Sequence, residues 1–166
     1  MLEAKLAMFI CYHSLFKSCD NLIELCKNYI CDSEVKLHRT KCANILRKVL
    51  APYFDGNLIS DIGDRKFSLL LDECNDISIN KLLEIVIIYY SDTHKKVVHT
   101  YLTKVSLETR DADSIVDTLE TELAKKKLDI KNLLVIGTDN AREMIGVNNG
   151  VFQKLKEVPS LLLFRC

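Results

Sequence analysis

Apolar residues in the first third of the chain recur every three or four positions. From residue 67 onward they fall instead into short, dense runs separated by polar turns. The stretch "LEAKLAMFICYH" has Leu2, Leu6, Phe9 and Ile10 at helical spacing. "SCDNLIELCKNYI" offers Ser18 or Asp20 as a cap ahead of Leu22, Ile23, Leu25 and Cys26. A third helical pattern, "EVKLHRTKCANILRKVLAPYF", sets Leu37, Ile45, Leu46, Val49 and Leu50 on one side, and Pro52 marks its expected end. Arg39, Lys41, Arg47 and Lys48 fall largely on the other side. They read either as a solvated helix face, the commoner case, or as a local basic patch for nucleic acid.

Residues 55–66, "DGNLISDIGDRK", are turn-rich and predict a connecting segment. "FSLLLD" is then an apolar run of strand length that ends on a carboxylate, Asp72. "LLEIVIIYY" is β-branched and aromatic, and it runs into a hairpin turn at "SDTHKK". "VVHTYLTKVSL" alternates and predicts a strand with Val97, His99, Tyr101, Thr103 and Val105 on one face. His99 reads there as a half-buried sheet residue rather than a base. "DADSIVDTLETELAKKKLDI" spaces Ile115, Val116, Leu119 and Leu123 as a helix, with acids early and lysines late, as the helix dipole favours. "NLLVIGTD" is a second buried strand ending on an acid, Asp139. A helix or turn from Ala141, a short helical stretch to Val158 and the run "SLLLF" complete the chain. Helices followed by β-β-β-α-β-α-β describe an α/β architecture with a mixed sheet. If the first and fourth strands are neighbours, their terminal acids can face each other.

Composition narrows the function classes. The chain has 166 residues, 48% hydrophobic, with 23 Lys plus Arg against 23 Asp plus Glu. It therefore has no overall basic field to attract nucleic acid. No apolar run approaches the ~20 residues of a membrane span. No signal peptide is expected, since Met1 opens into a segment carrying Glu3 and Lys5. The seven cysteines include no CxxC pair, and Cys26 with Cys31 is the nearest approach to zinc-ligand spacing. They read as free thiols packed as small apolar groups. "GTDNAREMIG" has its glycines too far apart for a dinucleotide loop, and no Ser–His–Asp order is present. Asp72 reads as a turn residue or as a metal ligand, and Asp139 with Asn140 as a helix cap or as a ligand. Strand alternation turns Glu73 away from Asp72, which makes it the weaker candidate. Asp76 reads as a cap or turn acid.

Several stretches carry a family resemblance. "KFSLLLDECNDIS" resembles the "LLxDExTDxS" strand of hAT-superfamily transposases, and "NLLVIGTDNAREMIGVNNGVFQKLK" resembles their "TDxAxxMxGxxxGVxxxLK" block. The stretches "LEAKLAMFICYHSLFKSCDNLIELCK" and "HRTKCANILRKVLAP" are similar to the helical lead-in of domesticated, zinc-finger-associated relatives of MYM-type and SCAN-like organisation. The resemblance implies an RNase H-like fold with a helical lead-in at 1–54, a connection at 55–66 and a partial RNase H-like domain at 67–166. It implies Asp72 and Asp139 as catalytic, metal-ligating acids for Mg²⁺ or Mn²⁺, and DNA as the partner. It also implies nuclear or cytoplasmic residence, with no secretion, no membrane and no small-molecule substrate. Two such ions would stabilise the attacking and leaving oxygens of a phosphodiester, and hard divalent ions take carboxylate oxygens. The pattern departs at Asn75, where Thr is usual, and at Arg165, where His is usual before Cys166. The family's third acid, a Glu, and the regions implied for DNA binding and homo-oligomerisation fall outside these 166 residues. The expectation is a transposase-derived fragment without strand transfer of its own, and the alternative is a non-catalytic scaffold.

Overall fold

In the computed structural model, residues 2–29, 35–75, 81–107, 109, 111–138, 150–155 and 162–165 are described, with the backbone alone at 74, 75 and 163–165. Contacts divide the chain into Met1–Leu58 and Ile59–Cys166, a division that falls within one helix.

In the first unit, α1 (Leu2–His13) is followed by a 3₁₀ turn, Phe16–Ser18, that runs directly into α2 (Cys19–Tyr29). Neither Ser18 nor Asp20 acts as the expected N-cap of α2, because Cys19 is already helical. Asp20 instead turns to the next helix: its Oδ1 accepts from the Arg39 backbone N–H at 2.9 Å, and its Oδ2 lies 3.3 Å from the Arg39 guanidinium. The third helix begins at Arg39 rather than upstream of it. His38 is extended (φ −144°, ψ 167°), and its Nδ1 accepts from the Lys41 N–H, which caps α3 (Arg39–Ile45). Leu37 and Cys42 flank that cap within one buried cluster with Ala7, Ile10, Cys19, Ile23 and Val35, a hydrophobic staple that fixes the entry of α3. Glu3 accepts from the Lys36 N–H at 3.1 Å and pairs with Lys41 Nζ at 2.7 Å, tying α1 to the same entry.

Pro52 does not end the helix. A π turn, Leu46–Leu50, links α3 to α4 (Ala51–Ile62) without interruption, and the Ala51 N–H reaches back five residues to Leu46 O. Proline lacks an N–H and crowds the carbonyl four residues back. The wide turn relieves that crowding, and α4 then carries the chain through residues expected to be a connection. Gly63, at φ +55°, follows immediately and supplies the left-handed residue that stops α4.

The second unit is a five-stranded sheet in the order β3-β2-β1-β4-β5, from β1 (Phe67–Asn75), β2 (Lys81–Ser91), β3 (Lys96–Leu107), β4 (Leu133–Thr138) and β5 (Leu162–Arg165). β1, β2 and β3 pair antiparallel, while β4 is parallel to β1 and β5 parallel to β4. A parallel neighbour requires a crossover, supplied here by α5 (Ala112–Lys125). Asp111 caps α5 by accepting from the Ser114 N–H at 3.0 Å, and Lys127, at φ 57°, ends it. The short α6 (Val151–Lys154) packs on α5 and precedes β5. Odd-numbered Leu69, Leu71, Leu83, Ile85 and Ile87 form the covered face with Ile136, and Ile115, Leu119 and Leu123 of α5 are buried as well.

The predicted single face of β3 is divided. A register shift opposite Ile85 and Val86 inserts Leu102 as a bulge, so Tyr101 pairs Val86 and Thr103 pairs Ile85. Val97, His99 and Tyr101 are exposed, whereas Thr103 and Val105 are half-buried on the α5 side. There Thr103 Oγ1 donates to Glu122 at 3.4 Å. His99 is exposed rather than half-buried.

Asp61 at the end of α4 clamps the β2–β3 hairpin. It accepts from Tyr89 OH at 2.9 Å and Thr93 Oγ1 at 2.7 Å, and also bonds the buried Ser91. Arg65 pairs with Asp92 at 2.9 Å beside it. The hydrogen bonds from Ser91, Thr93 and Tyr89 hold the Asp61 carboxyl down at about 2, against an ordinary 3.8. A depressed folded-state value adds stability above the unfolded value, and that stability is lost as pH falls through the folded one. Asp61→Ala is expected to cost about 1–2 kcal/mol at neutral pH. Thermal melts of both proteins followed by circular dichroism check this, and the gap between their Tm values should narrow between pH 4 and pH 2.

Candidate functional site

The condition set by the two strand-end acids is met at the backbone. β1 and β4 are parallel neighbours with Leu71 opposite Thr138; Asp72 follows Leu71 within β1, and Asp139 is the next residue in sequence after β4. The first strand does not end on Asp72 as the apolar run predicts: paired with β2, it continues to Asn75, and Asp72 is an exposed residue within it. Asp139, like Asn140 and Asp76, lies outside the described residues. Alternation places Asp72 with Ser68 and Leu70 on the face opposite Leu69, Leu71 and the half-buried Glu73.

Asp72 has a carboxylate neighbour that the sequence reading did not single out. Glu84 of β2 is directly across from it in the antiparallel register, and Lys104 of β3 is across from Glu84. Lys104 Nζ lies 3.8 Å from Glu84 Oε2. The row Asp72–Glu84–Lys104 thus runs over three strands on one face, and the lysine offsets the repulsion of two like charges set opposite each other. Glu84 is the only charged residue in the run from Leu82 to Tyr90, a signal that could have marked it. Both carboxylates are hard oxygen donors of the type Mg²⁺ and Mn²⁺ select. Among the described residues, however, no group of three or more possible ligands could hold a metal ion. The donor chemistry fits such an ion, and the described donor count needs Asp139.

The packing under the site is close. Gly137, buried one residue before Thr138, is paired with Leu70, and a Cβ added there would run into the Leu70 Cδ2 methyl group. In the rotamer it adopts, the Leu70 side chain fills the space that a side chain at 137 would take.

Other candidates resolve into structural roles. Two of the four basic residues are paired within the helical unit, Arg39 with Asp20 and Lys41 with Glu3, and Arg39, Arg47 and Lys48 are exposed, as the commoner reading of a solvated helix face has it. Cys19, Cys26 and Cys42 are buried free thiols and Cys11 is an exposed one, in line with reduced packing. Cys31 and Cys166 lie outside the described residues. No described helix is long and apolar enough to cross a membrane.

Three antiparallel strands, a helical crossover and two further parallel strands define an RNase H-like α/β domain preceded by helices. The chain belongs to the family DUF4371, described as ZMYM1/FAM200, RNase-like domain, whose model matches residues 6–150. That membership fits a transposase-derived, domesticated protein. No curated protein matches the chain.

Gly137→Ala is expected to destabilise the protein by up to about 1 kcal/mol, because the Leu70 methyl group it meets ends a flexible, exposed side chain that can turn aside. In the Leu70→Ala background the same change should cost much less. A double-mutant cycle from urea denaturation gives the coupling, and additive effects would mean that the two positions do not meet.

Proposed function

We propose that the chain is the RNase H-like portion of a hAT-type transposase-derived protein, and that Asp72 and Asp139 descend from its metal-ligating pair. The observation that carries this reading is the parallel pairing of Leu71 with Thr138, because the next residues in sequence are Asp72 and Asp139. When bound there, Mg²⁺ or Mn²⁺ would polarise a phosphodiester oxygen. Asp72, and Asp139 after Thr138, would supply its carboxylate ligands, with Glu84 beside Asp72 adding negative potential. The partner on this reading is DNA and the residence nuclear. Two carboxylates hold a two-ion centre poorly, because Mg²⁺ bound through so few protein ligands keeps most of its waters. Strand transfer by these 166 residues alone is therefore not expected, and a metal-binding, DNA-associated role is.

Paramagnetic Mn²⁺ titration of the isotope-labelled chain, read by nuclear magnetic resonance, separates metal binding from activity. Selective broadening at residues 70–72 and 84 is expected at low Mn²⁺, with binding weakened about tenfold or more in Asp72→Asn. Uniform broadening, or identical titrations of the two proteins, would sink the assignment of Asp72. In parallel, metal-dependent nicking of supercoiled plasmid that Asp72→Asn abolishes would overturn the expected lack of cleavage.

A further inference from the structure

β3 forms one edge of the five-stranded sheet, and among the described residues no strand pairs with its outer side. It is 12 residues long, so a row of backbone N–H and C=O groups faces outward along it. The bulge at Leu102 divides this edge in two. Beyond the bulge, Val105 and Ser106 share a cleft with Asp113, Asp117 and Glu122 of α5. Before it, Lys96–Tyr101 runs opposite Val86–Ser91 without irregularity. Lys96, Val97, His99 and Tyr101 of that half are exposed. Val97 pairs with the exposed Tyr90, and Tyr101 with the half-buried Val86, on the face opposite Leu69 and Ile87.

Charge decides what can lie beside this half. Between Asp92 and Glu108 the chain carries Lys95, Lys96, His99 and Lys104 and no acid. Lys95 lies 4.0 Å from Asp92 and Lys104 lies 3.8 Å from Glu84, whereas Lys96 has no acidic partner among the described residues. A second copy of β3 would set two strands of like charge side by side, the pairing that edge lysines guard against. An acidic strand meets the opposite condition.

We propose that the Lys96–Tyr101 edge of β3 takes up an extended, acidic segment of a partner protein as an added strand. Main-chain hydrogen bonds to the outward N–H and C=O groups hold the segment, and its alternate side chains give specificity. Successive residues of a strand point to opposite faces, so the two requirements separate cleanly. Apolar residues of the segment lie beside Val97 and Tyr101 on one face, and acids lie beside Lys96 on the other. The bulge at Leu102 and the α5 acids beyond it confine the added strand to the length of Lys96–Tyr101. Neither Asp72 nor a metal ion takes part, so this surface stands apart from the candidate metal site.

The test uses the full isotope-labelled chain and two end-capped peptides, one alternating glutamate with valine and one alternating lysine with valine. Backbone amide shifts and hydrogen exchange are followed by nuclear magnetic resonance as each peptide is added. The glutamate peptide is expected to shift residues 96–101 and to slow exchange of alternate amides there. The lysine peptide should bind about tenfold more weakly or less. A glutamate peptide methylated at alternate backbone nitrogens keeps its charge but cannot complete the ladder, and it should slow no exchange. Lys96→Glu, a change at an exposed position, should weaken the glutamate peptide about threefold. Equal binding of the methylated peptide, or no shift at residues 96–101 with the glutamate peptide at millimolar concentration, would overturn the proposal. So would slowed exchange of the same amides when the chain alone is concentrated, because a second copy would then be the occupant.

Discussion

The parallel pairing of β1 with β4 is the constraint on which the second unit depends. Two parallel strands cannot be joined by a tight turn, so the chain between Leu107 and Leu133 has to cross the sheet. It does so as α5, whose Ile115, Leu119 and Leu123 are buried together with the odd-numbered residues of β1 and β2. Remove that pairing and β4, with β5 beside it, is detached from the antiparallel strands, and Leu71 no longer faces Thr138. The same pairing sets Leu70 opposite Gly137, and the leucine side chain lies over the glycine. Packing, crossover and candidate site are thus consequences of one strand adjacency.

Much of this was readable from the residues. The dense runs at Phe67–Asp72, Leu82–Tyr90 and Leu133–Thr138 lacked helical spacing, and the charge order of residues 111–127 was that of a dipole-matched helix. The strand-end acids were noticeable because a carboxylate following a buried run has to emerge somewhere polar. What was not readable depended on partners distant in sequence. The Leu102 bulge carries no glycine to announce it, and it exists only because β3 is paired with β2. Glu84 becomes interesting only once Asp72 is opposite it. Asp20 looked like the cap of its own helix because local spacing cannot show an acid bonding to Arg39, nineteen positions away.

The helical unit shows the same limit at the level of the backbone. Pro52 is a sound stop signal in isolation, yet the chain passes through it as helix, using a π turn to avoid the clash. Charge patterning likewise left the partners of the basic residues unseen. Arg39 and Lys41 looked like part of a basic face, but each is engaged by an acid from α1 or α2 that secures the start of α3. These pairs are half-exposed and contribute modestly to stability. Their role is better seen as orientation, since they converge on the His38 cap and the Leu37–Cys42 staple.

The π turn has one more consequence, for how this helix can change over time. A π turn amounts to a single residue inserted into an α-helix, and each residue advances the helical phase by about 100°. The face that residues 51–58 present is therefore rotated in phase relative to that of Arg39–Ile45. Losing the additional residue would restore a plain α-helix, but it would press the Pro52 ring onto the carbonyl one turn earlier. The proline and the wide turn are consequently locked to one another: a lineage could shed the insertion only by changing both together.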